Sequence, residues 1–175
     1  MTTRATQTID RSRRALLTGA QGKLPTPIRP PWTDEGRVIE ACTRCDDCID
    51  TCPEGVLKAG QGGFPEFDPH SGAGACTFCG VCAAACTADV FDVSRDVPWR
   101  LNLEIESAAC LAHAGVHCSS CYDACDDDAI LMPARVGGPP LPEGNATRCT
   151  GCGACVGSCP GAAISLSVNV EAEAA

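Results

Sequence analysis

Apolar positions along the chain are short and regularly placed. Leu101, Leu103 and Ile105 alternate with Asn102, Glu104 and Glu106, the period-two pattern of a half-buried strand. Short apolar pairs or alternations recur at Val56-Leu57, Val90-Phe91, Ile130-Leu131 and Ile164 with Leu166. Phe64 and Phe67 sit in a Gly- and Pro-rich stretch, and Pro and Gly at 60–65, 69–74 and 133–144 supply turns. The pattern predicts a repeated unit: a strand, a loop with a short helix, and a second strand. No apolar run approaches the roughly 20 residues that a bilayer span requires, so membrane insertion is not expected.

The loops between these strands carry the chemistry. Sixteen of the 175 residues are Cys, against four Phe, two Trp and one Tyr. That density marks a disulfide scaffold or a metal protein. So few large rings cannot supply an ordinary packed core for the whole chain. The cysteines form four groups: Cys42, Cys45, Cys48, Cys52; Cys76, Cys79, Cys82, Cys86; Cys110, Cys118, Cys121, Cys125; and Cys149, Cys152, Cys155, Cys159. Groups one, two and four read Cys-x-x-Cys-x-x-Cys-x-x-x-Cys. In group three, seven residues instead of two separate the first pair. From the last Cys of one group to the first of the next is 24 residues every time. This is an internal repeat at fixed period, and all sixteen cysteines belong to it.

Three cysteines two residues apart can wrap one loop around three irons of a [4Fe–4S] cube. The fourth, three residues further on, points away, and in two-cluster ferredoxins it ligates the other cluster, commonly with a Pro after it. Pro53 and Pro160 occupy that place after groups one and four, while Thr87 and Asp126 replace it after groups two and three. Their lack of Pro reads as a difference in tuning and not as loss of a ligand. Structural zinc sites instead pair two Cys-x-x-Cys knuckles across a longer loop. Disulfides need an oxidising compartment, and cysteines three apart on tight loops bridge poorly. Three to four [4Fe–4S] clusters are therefore expected, with all sixteen cysteines as candidate ligands. Group three leaves alternatives open. Cys110 returns to the iron through the longer loop, or His113 or His117 substitutes for it, or the group holds no cluster. The sequence leaves open whether group one pairs with two and three with four, or one with four and two with three.

Other chemistry is not visible. No Gly-rich phosphate loop joins a strand to a helix, so no flavin or nicotinamide site is expected. No nucleophile with a supporting base can be assembled, His70 lies in a Pro/Gly turn, and Asp126-Asp127-Asp128 reads as a solvated turn. The expectation is an electron-handling protein that is not an enzyme.

Charge divides the chain. The net charge is −9, which argues against a phosphate-tracking nucleic-acid binder. Residues 1–37 carry seven basic and three acidic side chains, a net of +4, and the remaining residues carry six basic and nineteen acidic, a net of −13. The acidic body suits a partner with a basic face or simply keeps the protein soluble. Within the basic arm, Ser12-Arg13-Arg14-Ala15-Leu16-Leu17 resembles a twin-arginine export motif. The apolar run ends at Leu17, short of the 7–15 residues of a signal core. Arg13, Arg14, Leu16 and Leu17 are instead candidate docking residues for a partner, and a reducing, cytoplasmic location fits the cysteines.

Several stretches together resemble a known family, the NapF-type ferredoxin accessory proteins of periplasmic nitrate reductase systems. They are the arm from Arg11 to Gly19, Ile28-Arg29-Pro30-Pro31-Trp32, Cys42-Thr43-Arg44-Cys45, the expanded group beginning Cys110-Leu111-Ala112, and Cys149-Thr150-Gly151-Cys152-Gly153-Ala154-Cys155. The resemblance covers about residues 10–166, and the arm and the expanded loop are its most specific parts. It implies a cytoplasmic iron–sulfur protein that contacts the catalytic subunit of periplasmic nitrate reductase before export and assists its maturation.

The expected architecture is an α+β, ferredoxin-like protein with little regular secondary structure, built as two pseudo-symmetric dicluster halves. Residues 1–37 form the basic arm, 38–98 the half with groups one and two, 99–170 the half with groups three and four, and 171–175 a tail. The rival reading is an electron-relay subunit or free polyferredoxin of another oxidoreductase system.

Overall fold

A computed structural model describes residues 26–169. Regular structure is short throughout. Helix α1 spans Glu35–Ala41, and α2 (Asp47–Asp50), α3 (Val81–Ala85), α4 (Ser120–Asp123) and α5 (Ala154–Ser158) each begin between the second and third cysteine of a group. Helices of four or five residues are far below the length that is stable alone, so packing and the cysteine loops must hold them. The strands are β1 (Leu57–Ala59), β2 (Pro65–Phe67), β3 (Leu101–Ile105), β4 (Ile130–Leu131), β5 (Glu143–Gly144) and β6 (Ile164–Val168).

They pair as three two-stranded antiparallel sheets, β1 with β2, β4 with β5, and β3 with β6. The strand after group one thus pairs with the strand before group two, and the strand after group three with the strand before group four. In β3–β6, Leu103 lies opposite Leu166 and Ile105 opposite Ile164. The alternation read at 101–105 is the half-buried edge it predicted.

Two expected strands do not form. Val90 and Phe91 lie outside any ladder, because the segment facing them carries Pro30 and Pro31, which have no N–H to donate. One bond remains there, from the Asp92 N–H to the Trp32 carbonyl at 2.7 Å. Before group one stands α1 in place of a strand. Extended Asp34 caps it by accepting the Arg37 N–H at 2.8 Å, Glu35 lies in its first turn, and Val38 turns into the core.

The core is divided among small clusters. Val56, Leu57, Phe67 and Cys82 form one in the first half, and Cys121, Ile130, Cys155, Val156 and Ile164 another in the second. Leu166 packs against both. The halves meet where group four is smallest. A Cβ on Gly153 would stand 2.7 Å from Phe67, and one on Gly157 would stand 2.8 Å from the Pro69 carbonyl. Beside this seam Asp68 organises a turn. Burial pushes its carboxyl up, but hydrogen bonds from Lys58, the His70 N–H and Ser71 outweigh that and hold it at about 2.

The stretch preceding α1 is part of the packing. Pro30 and Pro31 are fully buried, and Arg29 is only 6% exposed. Its guanidinium forks onto Glu35 at 2.5 and 3.1 Å, donates to the Pro65 carbonyl at 3.1 Å, and lies 3.6 Å from Glu66. Residues 26–34 are thereby tied to α1 and β2. We predict that Arg29→Ala lowers stability by about 3 kcal/mol, the lower end for breaking a buried pair because Glu35 keeps some solvent. Arg29→Lys recovers only part, since an ammonium cannot reproduce the fork. Anaerobic denaturant unfolding measures both, and an unchanged midpoint in Arg29→Ala refutes the anchoring role.

Candidate iron–sulfur centres

Four small cavities gather the sixteen cysteines into four sets of four. Cavity I is lined by Cys42, Cys45, Cys48 and Cys86. Cavity II is lined by Cys76, Cys79, Cys82 and Cys52. Cavity III takes Cys110, Cys118, Cys121 and Cys159, and cavity IV takes Cys149, Cys152, Cys155 and Cys125. Each cavity draws three thiols from one group and the fourth from its partner. Groups one and two exchange their last cysteines, and so do groups three and four. Of the two pairings the spacing allowed, the fold adopts this one.

The backbone around each set follows a repeated device. In groups one, two and four the residues on either side of the second cysteine are left-handed: Arg44 and Asp46, Phe78 and Gly80, Gly151 and Gly153. Successive reversals bend the chain around the cavity, so that neighbouring side chains point inward. A left-handed non-Gly residue costs about 1–2 kcal/mol, a strain held only if the loop is tied down on its inner side. Three residues beyond each fourth cysteine stands another left-handed residue, Gly55, Asp89, Asp128 or Ala162, which turns the chain away from the cavity. Asp128 meets Arg148 at 3.0 Å and Asp127 accepts from Thr150 at 2.7 Å, so the acidic run is the turn that was expected. Gly80, Gly151 and Gly153 were the visible signal of this device. Arg44, Phe78 and Ala162 carried none.

The donor sets suit a cluster. Burial pushes the Cys82 and Cys155 thiols up to about 12 and the Cys48 and Cys76 thiols up to about 11, and neighbouring cysteines add to the shift in each case. Cys121 and Cys149 are raised by burial as well. Thiolates crowded in this way need a cationic occupant to be stable, and bound metal inverts the local cost. Among the described residues, no three His, Cys, Asp or Glu side chains draw together tightly enough for one metal ion. A tetrahedral zinc with bonds of about 2.3 Å holds its thiolates about 3.8 Å apart, whereas an iron–sulfur cube carries them on the outside of a larger body. Four cysteines line each cavity, the donor set that an iron–sulfur cube takes. Backbone N–H groups already point at sulfur: Phe78 to Cys76 at 3.4 Å, Ala129 to Cys125 at 3.2 Å and Ala163 to Cys159 at 3.3 Å. Such bonds stabilise thiolate charge and tune cluster potentials.

Group three reaches the same arrangement by a different path. Cys110 and Ala112 are buried against Ala163, while His113 and His117 are exposed and do not line cavity III. The extra residues form turns outside the cavity and return Cys118 to it. Access to solvent differs among the sets, for Cys45 and Cys79 are exposed whereas Cys82, Cys110, Cys121 and Cys155 are buried. The candidate docking residues Arg13, Arg14, Leu16 and Leu17 lie outside the described residues. Among the described residues no helix is long and apolar enough to cross a membrane.

Two blocks of the chain, residues 41–90 and 116–167, match the 4Fe-4S dicluster domain family. The chain is thus a ferredoxin-type protein with two dicluster domains and multiple [4Fe–4S] clusters. It is 41% identical over 157 residues to the ferredoxin-type protein NapF of Escherichia coli strain K12, covering 89% of this chain and 94% of that one. NapF of Haemophilus influenzae is also 41% identical, over 80% of this chain and 78% of its own. The methylamine utilization ferredoxin-type protein MauM of Paracoccus denitrificans is 32% identical over 75% of this chain and 66% of its own. The chain belongs to the NapF family of ferredoxin-type proteins. The second domain match begins at residue 116, after Cys110, while the structure places that cysteine in the lining of cavity III.

We predict that Cys110→Ser removes or converts one cluster, while His113→Ala and His117→Ala leave iron content unchanged. Iron and acid-labile sulfide counts on anaerobically purified variants decide it. Iron lost with the histidines and kept with the serine overturns the assignment of Cys110.

Proposed function

We propose that the protein is a cytoplasmic iron–sulfur electron-transfer and accessory protein that acts on the catalytic subunit of periplasmic nitrate reductase before export, and that it is not itself an enzyme. The observation that carries the reading is the set of four cavities, each lined by four cysteines, in a chain of the NapF family. In this reading all sixteen cysteines are ligands and each ferredoxin-like α+β half, 38–98 and 99–170, holds two [4Fe–4S] clusters. Such clusters accept and donate single electrons. The chain's own part is to keep the thiolates in place, donate N–H groups to their sulfurs and leave Cys45 and Cys79 near solvent, where a partner can approach. The acidic body favours a basic partner face, and the arm supplies guanidiniums for carboxylates and a Leu pair for burial.

The similarity to MauM supports a second reading, an electron-relay subunit of another oxidoreductase system. Stoichiometry separates the two, since an accessory factor leaves the finished enzyme and a subunit copurifies at one to one.

Four sets of four thiolates lead to about sixteen irons and as many labile sulfides per anaerobic chain, with a visible band bleached by dithionite. Arg13→Ala with Arg14→Ala weakens pull-down of the catalytic subunit and leaves iron content and cytoplasmic location unchanged. Zinc in place of iron defeats the cluster reading. A wild-type protein found in the periplasm, shortened at its N-terminus, while the double variant stays inside, defeats the docking role of the arm.

A further inference from the structure

The loops of cavities II and IV touch across the seam between the halves. The Cys76 N–H donates to the Cys152 carbonyl at 2.8 Å, joining the backbone of one set directly to the backbone of the other. Trp99, where the chain passes from the first half to the second, reinforces the contact. Its indole rests on Phe67 and Phe78, with ring centroids 4.8 and 5.7 Å away. Its Nε1–H donates to the Thr150 carbonyl at 2.8 Å, between Cys149 and Cys152. The seat is close, for a Cβ on Gly151 would stand 2.5 Å from Nε1. Each cavity takes its cysteines from one half alone, I and II from the first and III and IV from the second, so the halves communicate through contacts between loops such as this one.

We propose that Trp99 is a positioning residue that locks the loop of cavity II to the loop of cavity IV, making this seam the electron crossing between the halves and ordering the four centres I, II, IV, III. The inference rests on the four-cluster reading above. Tunnelling falls steeply with the gap between centres. A route made of the covalent backbone and one hydrogen bond, held by an indole, is therefore favoured over paths through the outer cavities. In each crossing one electron, supplied by a low-potential one-electron donor, leaves the centre at cavity II, which is oxidised by one. It reduces the centre at cavity IV by one, and no proton or atom moves.

The test uses full-length, anaerobically purified protein reduced with dithionite, comparing wild type with Trp99→Ala and Trp99→Phe by EPR and by hydrogen exchange at the Cys76 amide. A wild-type count well short of about sixteen irons defeats the four-cluster reading itself. With that count in place, Trp99→Ala retains its iron, loses the part of the spin–spin broadening that arises between halves, and loses protection at Cys76. Trp99→Phe keeps the stacking but not the bond to Thr150, so its spectrum lies between the two. A residue that merely filled space would leave the broadening unchanged in variants that keep their iron, and that result overturns the proposal. If Trp99→Ala fails to hold iron, Trp99→Phe decides by the same criterion.

Discussion

The fourth cysteine of every repeat leaves its own loop and enters the cavity of a neighbour, so no repeat completes its set of four alone. Cys52 lines the cavity of group two and Cys86 that of group one, and Cys125 and Cys159 trade places in the same way. This reciprocity binds the repeats into pairs more firmly than their apolar content could. The helices that carry the inner cysteines run four or five residues, and the sheets have two strands each. Elements of this size bury too little surface to stand without a further constraint. Where a bound group supplies that constraint, its binding energy is folding energy.

The same constraint explains where the backbone is strained and where it is not. Left-handed residues flank the second cysteine in the three compact groups, and another follows each fourth cysteine. Group three lacks the flanking pair, having Ser119 with φ −127° after Cys118, and it has the longer loop. Extra chain there does the turning that reversed dihedrals do elsewhere. Both solutions deliver four thiols to one cavity.

Packing between the halves follows from the same loops. Gly151, Gly153 and Gly157 expose bare backbone on the group four loop and helix, and Trp99, Phe67 and Pro69 fill the space. Several of the few aromatic rings are spent on this seam, with Trp32, Phe78, Trp99 and Phe67 in successive contact. Arg29 and the buried Pro30-Pro31 also pack into the first half, and the missing N–H groups of the prolines keep Val90 and Phe91 out of a ladder.

Much of this was legible from residue order because it depends on neighbours in the chain. Spacings of two and three residues dictate how thiols fan out from one loop, and alternation at Leu101, Leu103 and Ile105 dictates which face of a strand is covered. The role of Arg29 escaped, because two of its partners, Pro65 and Glu66, are remote and a lone Arg in a basic stretch looks solvated. Pairing escaped for a sharper reason. The interval from one group to the next is 24 residues each time, so chain length does not discriminate between partners. Only β1 on β2, β4 on β5 and β3 on β6 choose them, through backbone hydrogen bonds and apolar burial between distant segments. Local chemistry belongs to the sequence. Which loop faces which belongs to the tertiary structure, because that choice is made by the burial of surfaces that do not exist until the chain has folded.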